Sequence, residues 1–327
     1  MQLLTVAIIH GRPDSEIELL EKSPRSVEKF EDISTNRRKL KDGLAKEQKD
    51  FFEKVPKKIN TEEQKLEKIK DNEKITRQKF DEKIKKLTEK KAEGGFSGFS
   101  ALFKGYFVKN YSKKRELNKI KKLAKEQKSH IDEWKENPEG IFNKIQKEAI
   151  SELKEFDKIQ KDPFYAGAKG ELSVLDVLSQ LPDDYRVFCG VDIELSKYVT
   201  YNGKRNLKSA QMDFVVVSKR GIILIEVKNW SAEYYNRNRG FSPHEQVDRA
   251  SRVLWIALQS WKSPKKPRVK AMVLSTGAPI PFDANFKFVS TSNLRYINEY
   301  LQKRPEEFSD KEIDRIVDRI KKFVTTY

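Results

Sequence analysis

The sequence predicts an α/β fold in its second half: a central mixed sheet flanked by helices in the order αβββαβ, preceded by a long α-helical, coiled-coil region. Three observations predict it. The hydrophobic period changes at Pro163, from helical spacing to short apolar strands alternating with helices. Charge thins at the same place, with 40 Lys/Arg and 31 Asp/Glu in residues 1–162 against 27 and 19 in residues 163–327. Turn signals, Asn202-Gly203 and the tight stretch from Ser218 to Gly221, separate the strand-like runs. Two domains follow, 1–162 and 163–327.

Taken in order, the apolar run at residues 3–9 reads as either a strand or a short buried helix, because seven residues are too few for periodicity to decide. A helical pattern with Leu40, Leu44, Phe51 and Val55 runs from Ser34 to Pro56, and a second helix starts near Ile59. Its column Ile59, Leu66, Glu73, Phe80 and Leu87 is a weak heptad. A better one follows at Leu117, Ile120, Ala124, Gln127, Ile131 and Trp134, ending at Pro138. Glycines 94, 95 and 98 between the two predict a helical hairpin, whose first arm of residues 59–93 would reach about 50 Å at ~1.5 Å per residue. The tip, residues 94–111, holds Phe96, Phe99, Leu102, Phe103, Tyr106, Phe107 and Tyr111, and no acid stands between Glu93 and Glu116. Such a tip predicts burial against a partner, as a homo-oligomer, on another protein or on a membrane, or else packing within the hairpin.

Beyond Pro163, a helix over 164–181 carries Leu172, Leu175 and Leu178 on one stripe. Strands follow over 185–195, 212–217 and 222–227. Ser242-Pro243-His244-Glu245 then reads as an N-cap, first-turn Pro and capping-box Glu, starting a helix that should reach about Trp261. Strands over 269–274 and 286–290 and two closing helices complete the chain.

Composition excludes several classes. The apolar start is too short to span a bilayer and is followed by His10, Gly11 and Arg12 with no small-residue cleavage pattern. Cys189 is alone, and His10, His130 and His244 show no zinc-site spacing. These features predict a cytoplasmic chain without disulfide or structural zinc. The net charge of +17 makes an anionic partner reasonable without choosing among nucleic acid, membrane surface and solubility.

The chemistry-bearing residues interrupt apolar strands: Asp213 in Met-Asp-Phe-Val-Val-Val, and Glu226 and Lys228 in Ile-Ile-Leu-Ile-Glu-Val-Lys. Alternation puts Glu226 and Lys228 on one face. An uncompensated carboxylate buried there costs several kcal/mol. Lys228 answers one, and a hard divalent cation is the natural counter-charge for the rest, with Glu171 nearby on the inward stripe of its helix. A structural ion-pair cluster is the other reading. Gln246, in the first turn of the capped helix, can hydrogen-bond a phosphate or is simply solvated. His244 reads as a surface residue and Cys189 as a small buried hydrophobe.

Gly170-Glu171, Gln211-Met212-Asp213, Gly221-Ile222, Ile225-Glu226-Val227-Lys228-Asn229 and Pro243-His244-Glu245-Gln246 together resemble the nuclease-related domain (NERD) of the PD-(D/E)xK nucleases, over residues 164–290. The resemblance implies a restriction-endonuclease-like core and a nuclease that hydrolyses phosphodiester bonds, with DNA as substrate, in defence against foreign DNA or in repair. It implies Asp213 and Glu226 as Mg²⁺ (or Mn²⁺) ligands, Glu171 as a further metal-site carboxylate, Lys228 beside the attacking water and Gln246 on the substrate side. Only fourteen residues separate Lys228 from Pro243, and the family's glycine after the lysine is missing from Trp230-Ser231-Ala232-Glu233. Lys204, Arg205, Lys208, Arg237, Arg239, Lys265, Lys266 and Arg268 are candidates for backbone phosphates. The rival reading is a nucleic-acid-binding scaffold that does not cut.

Overall fold

A computed structural model describes residues 6–24, 27–93, 99–237, 240, 242–259 and 266–324, with the side chains of 90–93 and 99–104 outside the description. In chain order the elements are β1 (Ile8–His10), α1 (Asp14–Glu21), α2 (Phe30–Glu93), α3 (Phe99–Glu136), α4 (Pro138–Ile145), α5 (Lys147–Gln160), α6 (Pro163–Leu178), β2 (Arg186–Tyr201), β3 (Lys204–Ser218), β4 (Gly221–Lys228), α7 (Ala232–Arg237), α8 (Pro243–Gln259), β5 (Val269–Ser275), β6 (Val289–Asn293), α9 (Ile297–Gln302) and α10 (Asp310–Ile320). They divide into two compact units, Met1–Arg37 with Lys154–Tyr327, and Arg38–Leu153. This division differs from a single cut at 162, because the N-terminal segment joins the sheet. Its strand β1 pairs parallel with β2, Ile8 against Arg186, a long-range pairing that no local pattern announces.

The sheet is mixed and six-stranded, in the order β1-β2-β3-β4-β5-β6. β2, β3 and β4 are antiparallel neighbours, while β5 and β6 run parallel to β4. Asn202 and Gly203 both take positive φ, 49° and 77°, the two-residue turn whose twist suits a hairpin. β4, most of β5 and the adjoining halves of β2 and β3 are buried on both faces, so alternate residues feed two cores. Val215, Val217, Ile222 and Leu224 pack with Val247, Val253 and Leu254 of α8 and Ile316 and Ile320 of α10. Phe214, Val216, Ile223 and Ile225 pack with Val174 and Leu178 of α6 and Ile297 of α9. The parallel step from β4 to β5 requires a crossover, which α8 supplies.

Helix α2 runs unbroken through Pro56, where the sequence suggested two helices. The lost hydrogen bond and ring clash cost about 3 kcal/mol. Apolar packing on both sides of the proline offsets this: Val55 is buried, and the Phe51 ring lies 5.7 Å from Trp134 and 5.4 Å from Phe142. α3 runs antiparallel to α2, since Lys113 pairs with Asp81, Gln127 with Glu62 and Lys135 with Glu63. Residues 99–111, expected as a connection, are the start of α3, because after Gly98 only Gly105 disfavours helix. The glycine turn itself, with Phe96, lies outside the described residues. Glu62 and Gln127, both polar seam residues, meet at 2.7 Å, a pairing that fixes the register of the two helices.

Candidate functional site

Three elements bring the carboxylates together. The β3–β4 ladder ends at Phe214 opposite Ile225. One residue further on, Asp213 Oδ2 accepts the Val227 backbone N–H at 2.7 Å, satisfying a donor that the ladder has released. Glu226 lies one residue beyond Ile225 and is 2 % exposed. Its Oε1 accepts from Lys228 Nζ at 2.5 Å, and Lys228 also sits 5.6 Å over the Trp230 ring.

Glu171 arrives from α6. That helix starts on Pro163, with the Asp162 side chain accepting the Phe164 N–H. Gly170 lets it approach the end of β4, since a Cβ there would stand 2.9 Å from Asn229 Cβ and 3.2 Å from Thr276 Oγ1. Asn229 in turn donates to the Ala166 carbonyl at 2.8 Å. Glu171 is buried, and its partner comes from the far N-terminus: Ser15 Oγ donates to Oε1 at 2.5 Å and the Ser15 N–H to Oε2 at 3.4 Å. Ser15 lies in the first turn of α1, whose N-cap, Pro13, makes no side-chain cap. Glu171 therefore caps that helix from 156 residues away, where helix N–H groups favour an anion.

Glu171, Asp213, Glu226, Lys228 and Gln246 all line one cavity of about 590 Å³, together with Ser15, Asn229, Trp230, Ser231 and Tyr234. Among the described residues lining it, Lys228 is the only cation. The carboxyls are correspondingly reluctant to ionise. Burial, then the Asp213 charge, pushes Glu226 up to about 8 against the pull of Lys228. The same two causes push Glu171 up to about 8 despite the Ser15 hydrogen bonds. Asp213 is raised as well, by burial, with Lys228 and the Val227 N–H opposing. Two acceptor oxygens, Glu226 Oε2 and Gln246 Oε1, are buried without a hydrogen-bond partner. Among the described residues no group of three His, Cys, Asp or Glu side chains is arranged to hold a metal ion.

The sequence did not indicate Ser15 or its neighbour Asp14. Asp14 accepts at 2.6 Å from Gln211, two residues before Asp213 in the chain. It also packs on Gly190, where a φ of +58° and a Cβ that would stand 2.9 Å from Asp14 Cγ both require glycine. The Asp14-Ser15 pair at a helix start was the available signal. His244, expected at the surface, is 2 % exposed, since its ring stacks near Phe286 of the 3-10 turn Ala284–Phe286; burial lowers its pKa. Cys189 is buried and its thiol pushed up to about 12 by burial.

The basic candidates among the described residues do not line the cavity. Lys204, Arg205 and Lys208 lie on β3 next to the hairpin turn, with Lys208 paired to Glu194. Arg237 pairs with Glu233 on α7. Lys266 and Arg268 are exposed ahead of β5. Arg239 and Lys265 lie outside the described residues.

Residues 166–276 match the family model of the nuclease-related domain, NERD. Comparison with curated proteins and with solved structures gives no match. The match spans α6 through β5 and contains Glu171, Asp213, Glu226, Lys228 and Gln246, whereas α1 and its Ser15 lie outside it. The segment of the sheet unit from residue 166 to residue 276 is thus similar to the nuclease-related domain.

Proposed function

We propose that the chain is a divalent-metal-dependent nuclease that hydrolyses phosphodiester bonds of DNA. The observation that carries this reading is the buried Glu226 and half-buried Asp213 beside Lys228, with Glu226 Oε2 and Gln246 Oε1 unpartnered in the same cavity. Orphaned buried acceptors are costly, and oxygen is what a hard cation takes. Mg²⁺ in particular is commonly held by one or two carboxylates plus waters and substrate phosphate, so Asp213 and Glu226 would suffice as protein ligands, while Glu171, held by Ser15, lines the same cavity. A bound divalent ion supplies Lewis-acid polarisation of the phosphate and a lowered pKa for water.

The remaining steps fall to the chain's own groups. Lys228, held against Glu226, places an ammonium where negative charge grows as water adds to phosphorus and the ester oxygen leaves. Gln246 orients the substrate or a water at the start of α8. Lys204, Arg205, Lys208, Lys266 and Arg268 hold backbone phosphates, without reading bases. Such an enzyme fits a role in the cytoplasm, in defence against foreign DNA or in repair.

The test is incubation of the full chain with linear, circular and single-stranded DNA and with RNA in Mg²⁺, Mn²⁺ and EDTA. DNA cleavage in either metal, abolished by EDTA and slowed about 10²–10³-fold in Lys228→Ala under single-turnover conditions, is expected. Cleavage by Lys228→Ala at the wild-type rate contradicts the mechanism. Salt-sensitive binding with no cleavage in either metal makes the chain a non-cleaving nucleic-acid-binding protein.

A further inference from the structure

Over residues 105–112, α3 turns its larger apolar side chains away from the arm. Phe107, Val108 and Tyr111 are 59 %, 64 % and 72 % exposed. Gly105, Lys109 and Ser112, on the opposite side by the 3.6-residue period, are less exposed, as are Asn110 and Lys113 at the flanks. Further along, α3 is conventional: Ile131 is buried in the unit and Gln127 meets Glu62. A helix that turns small and polar residues inward and aromatic residues outward over two turns is built to bury that outer face on something else.

The charge around this face identifies the chemistry of its occupant. From residue 94 to residue 115 the chain has five basic residues and no acid. Lys113 pairs inward with Asp81, whereas Lys114 and Arg115 are exposed and fall on the same side as Phe107 and Tyr111. A second copy of the same tip would bring like charges together. An apolar protein groove would leave the cations unmatched. An anionic bilayer surface matches both features, since aromatic rings settle at the headgroup level and Lys/Arg meet the negative lipids. No helix among the described residues is long and apolar enough to cross a membrane, so contact would be at the surface.

We propose that the face of α3 carrying Phe107, Tyr111, Lys114 and Arg115 docks on an anionic lipid surface. The proposal does not rest on nuclease activity. It is tested by co-sedimenting the full chain with vesicles of phosphatidylserine and phosphatidylcholine, and with phosphatidylcholine alone, at low and high salt. Binding to the anionic vesicles, reduced tenfold or more by high salt and by the double variant Phe107→Ser/Tyr111→Ser, is expected. Both side chains are more than half exposed and Phe107 meets Tyr106 edge to face, so the variant should shift the melting curve little, and the single variant Tyr111→Ser should reduce vesicle binding too. Absence of wild-type binding to anionic vesicles overturns the proposal, as does equal binding by the variant. Loss of a concentration-dependent dimer in the variant, without vesicle binding by either protein, gives the face to a second copy instead and also overturns it.

Discussion

Glu62 in the helical arm and Glu226 in the sheet unit expose equally little surface, 3 % and 2 %, but only Glu226 lies deep in the protein, and their carboxyls shift in opposite directions. Glu62 accepts from Lys65 at 2.9 Å and from Gln127 at 2.7 Å, with Lys58 at 3.2 Å. These partners, Lys65 first, hold its carboxyl down at about 2. Glu226 has Lys228 on one oxygen, nothing on the other, and Asp213 nearby, so it rises to about 8. In the arm the lysine stems cover the carboxylate while their charged heads stay in water. In the sheet the enclosing groups are apolar side chains and another acid. A hidden carboxylate is therefore informative only through its partners: Glu62 is satisfied and fixes a helix register, whereas Glu226 retains acceptor capacity that its own chain does not fill.

The widest separation between the two should appear in stability against pH, in EDTA. For Glu226 the folded pKa lies above the unfolded value, so between about 4.5 and 8 the folded state binds the extra proton and stability falls as pH rises. For Glu62 the folded pKa lies below, so its contribution is present above about 4.5 and is lost as pH falls towards 2. Glu226→Gln should then raise the melting temperature at pH 8 by on the order of 5 °C and flatten its decline with pH. Glu62→Gln should lower it at pH 7 and make no difference near pH 2. Thermal melts of the two variants across pH 2–9 would refute the contrast if both shifted in the same direction at pH 8.

A smaller effect is expected from Ser15→Ala. Ser15 positions Glu171, and its hydrogen bonds hold that carboxyl lower than burial alone would. Losing the hydroxyl should push the Glu171 pKa further up, move the acidic limb of the cleavage pH profile to higher pH and slow cleavage roughly tenfold, about the cost of one charged hydrogen bond. Ser15→Thr should restore the profile. An unchanged profile in Ser15→Ala would leave Ser15 with a packing role only.

The legible part of this protein is whatever its local pattern forces. Asp213, Glu226 and Lys228 stand out because charges inside strands apolar on both faces conflict with packing. Gly170-Glu171 stands out beside them, and the close approach to Asn229 shows why the glycine is needed. The Asn202-Gly203 turn follows from turn chemistry. Long-range features are not legible. Asp14-Ser15 marks a helix start, but neither β1 pairing with β2 nor the choice of Glu171 as the partner of Ser15 has a local signature, since partners 156 residues apart meet only in the folded chain. Pro56 reads as a helix end because its local cost is visible and the packing of Phe51 and Val55 that offsets it is not. His244 reads as exposed because a first-turn residue is usually solvated, and here the 3-10 turn near Phe286 covers it.

The central claim, that the sheet unit's carboxylates are short of positive charge and take a divalent cation, is tested most directly by thermal melts at pH 7.5 with millimolar Mn²⁺ or EDTA. An ion bound by the folded chain and not by the unfolded one raises stability by RT ln(1 + [L]/Kd), about 2.7 kcal/mol at a hundredfold excess over Kd. The wild type should therefore melt several degrees higher in Mn²⁺, with the increase lost in Asp213→Ala and Glu226→Gln and kept in Glu62→Gln. Identical melting temperatures for the wild type in Mn²⁺ and EDTA would contradict it, and would make Asp213, Glu226 and Lys228 a structural ion-pair cluster like the one around Glu62.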